Sequence, residues 1–275
     1  MQYTINVRGQ LIDLSRPVVM GILNATPDSF FSGSRKQTEA EIADRANQIA
    51  AEGGRIIDVG AFSTRPGGAD EVDIAEETAR LKRALAIVRR EQPDMAVSVD
   101  TYRPLVARRC IEEFGADIIN DVSEGGLTGI VGKAIHEEGD MFETVAALGV
   151  PYILMSVQPT LRQMALNFAA EIQRLRDLGA KDIILDPGYG FGKTLEQNYE
   201  TMNRAERLLE FGLPVLTGIS RKSMIYRLVG GDPTTALNGT TALNTIALMK
   251  GTSILRVHDV KEAVEAVDIV EKLKG

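Results

Sequence analysis

The sequence predicts an α/β fold of the (β/α)8, or TIM-barrel, kind with a short N-terminal β-hairpin. Three observations lead there. Short β-branched runs alternate eight times with stretches of helical periodicity, the chain is 275 residues long, and polar residues gather past the end of nearly every run. Near-continuous apolar strands alternating with helices imply a parallel sheet covered on both faces. Eight such units in roughly 250 residues favour a closed barrel over an open doubly wound sheet.

Each element has its own signal. The first residues alternate around Arg8-Gly9-Gln10, the pattern of a hairpin, which is expected to plug the amino-terminal end of the barrel. The runs are Val18–Leu23, Ile56–Val59, Ala96–Val99, Ile118–Val122, Tyr152–Met155, Ile183–Leu185, Pro214–Ile219 and Ser253–Val257. After the first, Thr38 with Glu41 reads as a capping box, Ile42, Ala46 and Ile49 share a face, and Gly53-Gly54 stops the helix. Ile74, Thr78, Leu81, Leu85 and Val88 form the next stripe, and Leu161, Ala165, Phe168, Ile172 and Leu175 a later one. Stripes of this kind face a core. The segment Glu124 to Leu148 is long for one connection and is expected to hold two helical pieces. No repeat, low-complexity stretch or linker interrupts the chain, so residues 1–275 read as one domain.

Composition narrows the function. A formal net charge of −7 argues against a general nucleic-acid binder or a protein of anionic membrane surfaces. The single cysteine, Cys110, forbids an internal disulfide and is expected to be buried packing. The start has neither the basic region nor the apolar core of a signal peptide, and no apolar run approaches membrane-spanning length, so a cytoplasmic location is expected.

In a parallel barrel the active site is built from the loops after the strands. Every run but the fifth ends in residues that a core does not want: Asn24; Asp58 to Gly67; Asp100-Thr101; Asn120-Asp121; Asp186 to Lys193; Ser220-Arg221-Lys222-Ser223; and Arg256-Val257-His258-Asp259. Arg256 and His258 are two apart and so point the same way, a suitable clamp for phosphate oxygens. Arg256 could instead pair with a carboxylate such as Asp259, and His258 could be structural. His136 lies in a polar run and reads as surface. The Asp186–Gly192 loop is glycine-rich but lacks the register of a nucleotide P-loop. Asp186 could accept from an amidine-like edge or cap its loop, and Asp100 and Asn120 could bind a ligand or tie strand ends together. Arg65, Lys193, Lys222, Arg256 and His258 make a basic rim on an acidic protein, suited to an anionic substrate. The residues thus spell a site for a polyphosphate ester and a flat hydrogen-bonding group.

The same segments resemble the dihydropteroate synthase family. The resemblance rests on Gly21 to Phe30, Ser63 to Gly67, Ser98 to Thr101, Ile119 to Val122, Asp186 to Thr194, Gly218 to Met224 and Arg256 to Val260. It implies condensation of 6-hydroxymethyl-7,8-dihydropterin pyrophosphate with p-aminobenzoate, giving 7,8-dihydropteroate and pyrophosphate. It further implies that Asp100, Asn120, Asp186 and Lys222 bond the pterin edges, that Arg256 stacks on the ring, and that Met155 and Phe191 line its pocket. Asn24 would ligate Mg²⁺, with Thr64, Arg65, Arg256 and His258 around the pyrophosphate. Phe30, Pro66 and Ser223 would shape the p-aminobenzoate site. Asp100, Lys222, Arg65 and Arg256 are the catalytic set so implied, and the loops Ala25–Lys36 and Ala61–Asp70 would close over it. A homodimer is implied too, through the last helices, where Val264, Val267 and Val270 recur unless these pack on the barrel.

The sequence departs from the family pattern after the fifth run. Ser156 follows Met155 where histidine is usual, and Val157-Gln158-Pro159-Thr160 replaces a glycine-threonine-proline loop. The connection after it is shorter and the one before it longer, and Ala25 stands where valine is commoner. Two rival readings are a pterin-dependent methyltransferase, which would have no pyrophosphate for Asn24, Arg65, Arg256 and His258 to hold, and a non-catalytic pterin-binding paralogue.

Overall fold

The computed structural model describes residues 3–25, 35–61, 72–126 and 139–274. Strands β1 (Thr4–Val7) and β2 (Gln10–Asp13) form the expected antiparallel hairpin. The barrel strands are β3 (Val18–Asn24), β4 (Ile56–Gly60), β5 (Ala96–Asp100), β6 (Ile118–Asp121), β7 (Tyr152–Met155), β8 (Ile183–Asp186), β9 (Leu216–Thr217) and β10 (Ile254–Val257). They pair in parallel in the order β8-β7-β6-β5-β4-β3-β10-β9. A bridge between Leu185 and Val215, with Leu185 N–H donating to the Pro214 carbonyl at 2.9 Å, joins β8 to the start of β9 and closes the circle. β9 is shorter than the run Pro214–Ile219 predicts, because Pro214 has no N–H to offer a ladder and Gly218 packs nothing.

Helices α1 (Arg35–Ala51), α2 (Ile74–Glu91), α3 (Pro104–Glu112), α4 (Met141–Leu148), α5 (Leu161–Asp177), α6 (Leu195–Asn203), α7 (Ser223–Val229), α8 (Leu237–Met249) and α9 (Val260–Lys274) surround the strands. Among the described residues, no helix is long and apolar enough to cross a membrane. The expected stripes are buried: Ile42, Ala46 and Ile49 on α1, Leu81, Leu85 and Val88 on α2, Phe168, Ile172 and Leu175 on α5. The expected cap at Thr38 is a miss. Arg35, Lys36 and Gln37 are good helix formers and carry α1 back past the box. Val267 and Val270 are buried and Val264 packs on the same core, so that stripe faces the barrel rather than a partner. Cys110 is buried on α3, and burial pushes its thiol well above the usual range. Of the two helical pieces expected in the long connection after β6, α4 falls among the described residues, whereas residues 127–138, His136 included, lie outside them.

Register sorts the barrel interior into layers. Alternate residues face inward, and pairing aligns Met20 with Ile56, Ile56 with Ala96, and Ile254 with Leu216. With Ile118, Ile153 and Ile184 these make an apolar floor, sealed by Ile5, Val7 and Leu14 of the hairpin segment. The plug is where the alternation around Arg8-Gly9 predicted it. One step up, the inward positions of β4, β5, β6, β8 and β10 become polar, with Asp58, Ser98, Asn120, Asp186 and Arg256, while Ile22 on β3, Met155 on β7 and Gly218 just past β9 take the others. Each large aliphatic side chain fully buried in the floor contributes about 1.5–3 kcal/mol, whereas a buried polar atom without a partner costs about 1–3 kcal/mol. The sealed half of the barrel can therefore offset a polar upper half.

Candidate active site

The upper layer is organised by Arg256. Its Nε donates to Asp58 Oδ2 at 2.6 Å and its Nη2 to Asp100 Oδ2 at 2.8 Å. Asn120 Nδ2 donates to the same Asp58 oxygen at 3.1 Å. Asp58 is fully buried and is the residue that sequence reasoning left out of the site, although a lone carboxylate inside Ile56-Ile57-Asp58-Val59 needs a partner in any buried strand. The alternative pairing of Arg256 with Asp259 is excluded, since Asp259 is held at 2.9 and 2.7 Å by Arg221. Asp100 and Asn120 do tie strand ends together, yet each keeps an acceptor in hand. Asp58 Oδ1, Asp100 Oδ1, Asn120 Oδ1 and Ser98 Oγ are buried and without a hydrogen-bond partner among the described residues.

Burial drives the titration of this layer. It raises the Asp100 carboxyl, against the opposing pull of Arg256. Burial works to lower the Arg256 guanidinium, but Asp58 and Asp100 outweigh it and its pKa is raised. Asp186 is raised by burial, with Lys222 opposing, and burial brings Lys222 down to about 8, with Asp186 opposing.

The loop from Asp186 to Lys193 forms the second wall. Asp186 Oδ1 accepts from Gly188 N–H at 2.8 Å, so it does cap its loop. Asn198 on α6, a residue not singled out from sequence, accepts from Gly190 N–H at 2.7 Å. A capping box of Thr194 with Gln197 fixes where the loop ends and α6 begins. Lys222 Nζ donates to the Tyr189 carbonyl at 2.5 Å and stands 4.5 Å from the centre of the Phe191 ring. Met155, at the end of β7, lies against this loop, because a side chain on Gly188 would meet its Cγ at 3.0 Å. Lys193 does not join the expected basic rim: its Nζ donates to the carbonyls of Ser156, Gly188 and Phe191. Three carbonyls converge on the ammonium, yet burial still brings its pKa down to about 8.

Of the remaining predicted residues, Ser223, His258 and Asn24 lie among the described ones. Ser223 opens α7 directly after Lys222. His258 follows β10, its Nδ1 3.1 Å from Ser220 Oγ and its N–H donating to the same oxygen at 3.1 Å. Asn24 ends β3 and is exposed. Its Oδ1 and Asp100 Oδ2 lie 3.6 and 3.9 Å from the point where a Gly60 side chain would begin. Phe30, Thr64, Arg65 and Pro66 lie outside the described residues. No cluster of histidine, cysteine or carboxylate side chains that could hold a metal occurs among the described residues. Chemically, the layer offers several acceptors and a buried cation to a flat heterocycle, and an arginine and a histidine to an anion.

Residues 20–258 match the family model described as pterin binding enzyme. The dihydropteroate synthase of Escherichia coli (strain K12) is 41% identical over 281 residues, covering 96% of this chain and 94% of that protein. The dihydropteroate synthase of Xanthomonas albilineans with 4-aminobenzoic acid superposes with a TM-score of 0.87 at 31% identity, over 100% of this chain and 99% of that one. That of Yersinia pestis in a sulfonamide drug complex gives 0.84 at 35% identity, over 99% of both.

Proposed function

The chain belongs to the pterin-binding enzyme family, and on that premise we propose how its own residues carry out the dihydropteroate synthase reaction of folate biosynthesis. This transferase reaction breaks the bond between the pterin methylene carbon and pyrophosphate and forms a bond from that carbon to the amine of p-aminobenzoate. The amine loses a proton, and 7,8-dihydropteroate and pyrophosphate leave. The observation that carries the assignment of roles is the set of unpartnered acceptors on Asp58, Asp100 and Asn120 beside Arg256. A pterin edge is rich in N–H donors, and binding it would recover the cost of those orphaned atoms.

Asp100, Asn120, Asp186 and Lys222 bind the pterin edges in this reading, with Arg256 against the ring and Met155 and Phe191 lining the pocket. Arg256 and His258, with Thr64 and Arg65, hold the pyrophosphate as its charge grows. Asp100 stabilises positive charge at the methylene, and the amine then needs orientation more than a strong base. Phe30, Pro66 and Ser223 shape the p-aminobenzoate site, where the sulfonamide of the Yersinia pestis complex suggests the chain also takes sulfonamides.

Mg²⁺ keeps several waters and is commonly bound through one or two protein oxygens plus substrate phosphates. Asn24 Oδ1, at the rim and facing Asp100 across Gly60, fits that demand. When bound, the ion would neutralise charge on the departing pyrophosphate.

We further read the chain as a cytoplasmic homodimer. Ile246 and Met249 on α8 and Ile269 and Leu273 on α9 are exposed on two helices that pack together, and they replace the valine stripe as the surface to cover.

The assignment is tested by turnover of dihydropterin pyrophosphate with p-aminobenzoate, followed as released pyrophosphate with and without Mg²⁺. Release that needs both substrates and the ion supports it. Pterin binding without release would return the reading to the non-catalytic alternative.

A further inference from the structure

Glu124 lies in the turn after β6, fully buried, with its backbone in the left-handed region at φ +55°. A residue other than glycine keeps that conformation only where its surroundings over-determine it. The carboxylate accepts from Ser156 Oγ at 3.2 Å, Val157 N–H at 3.3 Å, Gln158 Nε2 at 3.1 Å and Asn167 Nδ2 at 3.3 Å. The first three belong to the loop after β7, the segment that departs from the family pattern.

That loop bears directly on the β8 loop. A side chain on Gly188 would lie 2.1 Å from the Ser156 carbonyl oxygen, and one on Gly192 would lie 2.9 Å from that of Val157. Both glycines have positive φ, so the two backbones meet with no side chain between them. Lys193 then clasps the Ser156 carbonyl to those of Gly188 and Phe191. Every shift of the β7 loop is thereby passed to the segment that carries Asp186, the Tyr189 carbonyl on Lys222, and Phe191.

We propose that Glu124 is a positioning residue of the pterin pocket, setting the Ser156–Val157 backbone on which the β8 loop rests. The inference rests on Asp186, Phe191 and Lys222 forming that pocket, as argued above. Glu124→Gln keeps the shape but turns one acceptor into a donor facing the donors of Val157 and Gln158. The KM for dihydropterin pyrophosphate should rise about tenfold, with kcat and the KM for p-aminobenzoate within about twofold. Ser156→Ala, which removes one donor, should raise the same KM about threefold. The double variant Glu124→Gln with Gln158→Glu returns an acceptor to the pair and should bring KM back to within about threefold of the parent. A folded Glu124→Gln protein of lower melting temperature but parental KM, beside a crippled Lys222→Ala, would reduce Glu124 to packing alone. An unimpaired Lys222→Ala would instead overturn the pocket assignment. If Glu124→Gln does not fold, Ser156→Ala decides: an unchanged pterin KM overturns the proposal.

Discussion

One guanidinium, that of Arg256, spans two carboxylates on different strands, 2.6 Å from Asp58 on β4 and 2.8 Å from Asp100 on β5. Pairs of this kind are poor sources of net stability, because desolvation takes back most of the attraction, but breaking one leaves buried charge unmatched. The arrangement therefore holds the unpartnered acceptors of Asp58 and Asp100 in place at little net gain and is costly to dismantle.

Arg256→Met should consequently damage folding as well as catalysis. Removing the shared partner of Asp58 and Asp100 is expected to cost about 3–5 kcal/mol in urea denaturation, along with most activity. A loss below about 1 kcal/mol, the range of surface pairs, would mean that the two carboxylates find other partners or protons without strain.

Lys222 makes a prediction about pH. Its pKa is brought down by burial to about 8, so the folded protein loses this cation near pH 8 rather than near the usual lysine value. If the protonated amine binds the pterin, kcat/KM for dihydropterin pyrophosphate should fall as pH rises through about 8. Lys222→Ala should lower kcat/KM by about 30-fold or more, the worth of a charged hydrogen bond. Lys222→Arg, charged throughout, should lose the alkaline limb that Lys222 causes. A parental limb in that variant would assign the titration elsewhere, with Lys193, also brought down by burial to about 8, the next candidate.

What the sequence made legible follows from what is periodic. The alternation of strands and helices and the hairpin plug derive from spacing alone, whereas the inward pairing of Arg256 with Asp58 and Asp100 emerges only in the fold. Asp58 was quoted as a strand end but not recognised, because its role depends on Arg256, 198 residues away. Asp121 sat beside Asn120 in sequence, yet it faces the helices, where it accepts from Tyr152 Oη and the Ser123 and Gly125 N–H groups. Lys193 looked like rim charge, since nothing local announces three carbonyls converging on it. Glu124 was hidden for a similar reason: its partners lie 32 to 43 residues on, in the loop after β7 and on α5.

The homodimer proposed above makes its own demand on the surface. Ile246, Met249, Ile269 and Leu273 are 43%, 59%, 60% and 71% exposed on α8 and α9, more than isolated surface apolar residues require. Sedimentation velocity should report a dimer for the parent and a monomer for Met249→Asp with Ile269→Asp, with the circular dichroism spectrum kept. A dimer that survives both charges would move the interface to another face.

The last prediction concerns Glu171, whose Oε2 is buried without a partner among the described residues. Burial, and then the charges of Glu124 and Asp121, push its carboxyl up from 4.5 to about 8. Between those values the folded chain holds a proton that the unfolded chain has released. The native state thus binds more protons in this window, so its stability falls as pH rises through it, and the penalty is complete above about 8. Glu171→Gln cannot ionise and escapes the penalty. Relative to the parent, the variant should gain on the order of 1–3 kcal/mol between about pH 5 and pH 8, read by urea denaturation at several pH values. A difference that stays flat across that range would show that Glu171 is not the group carrying the proton.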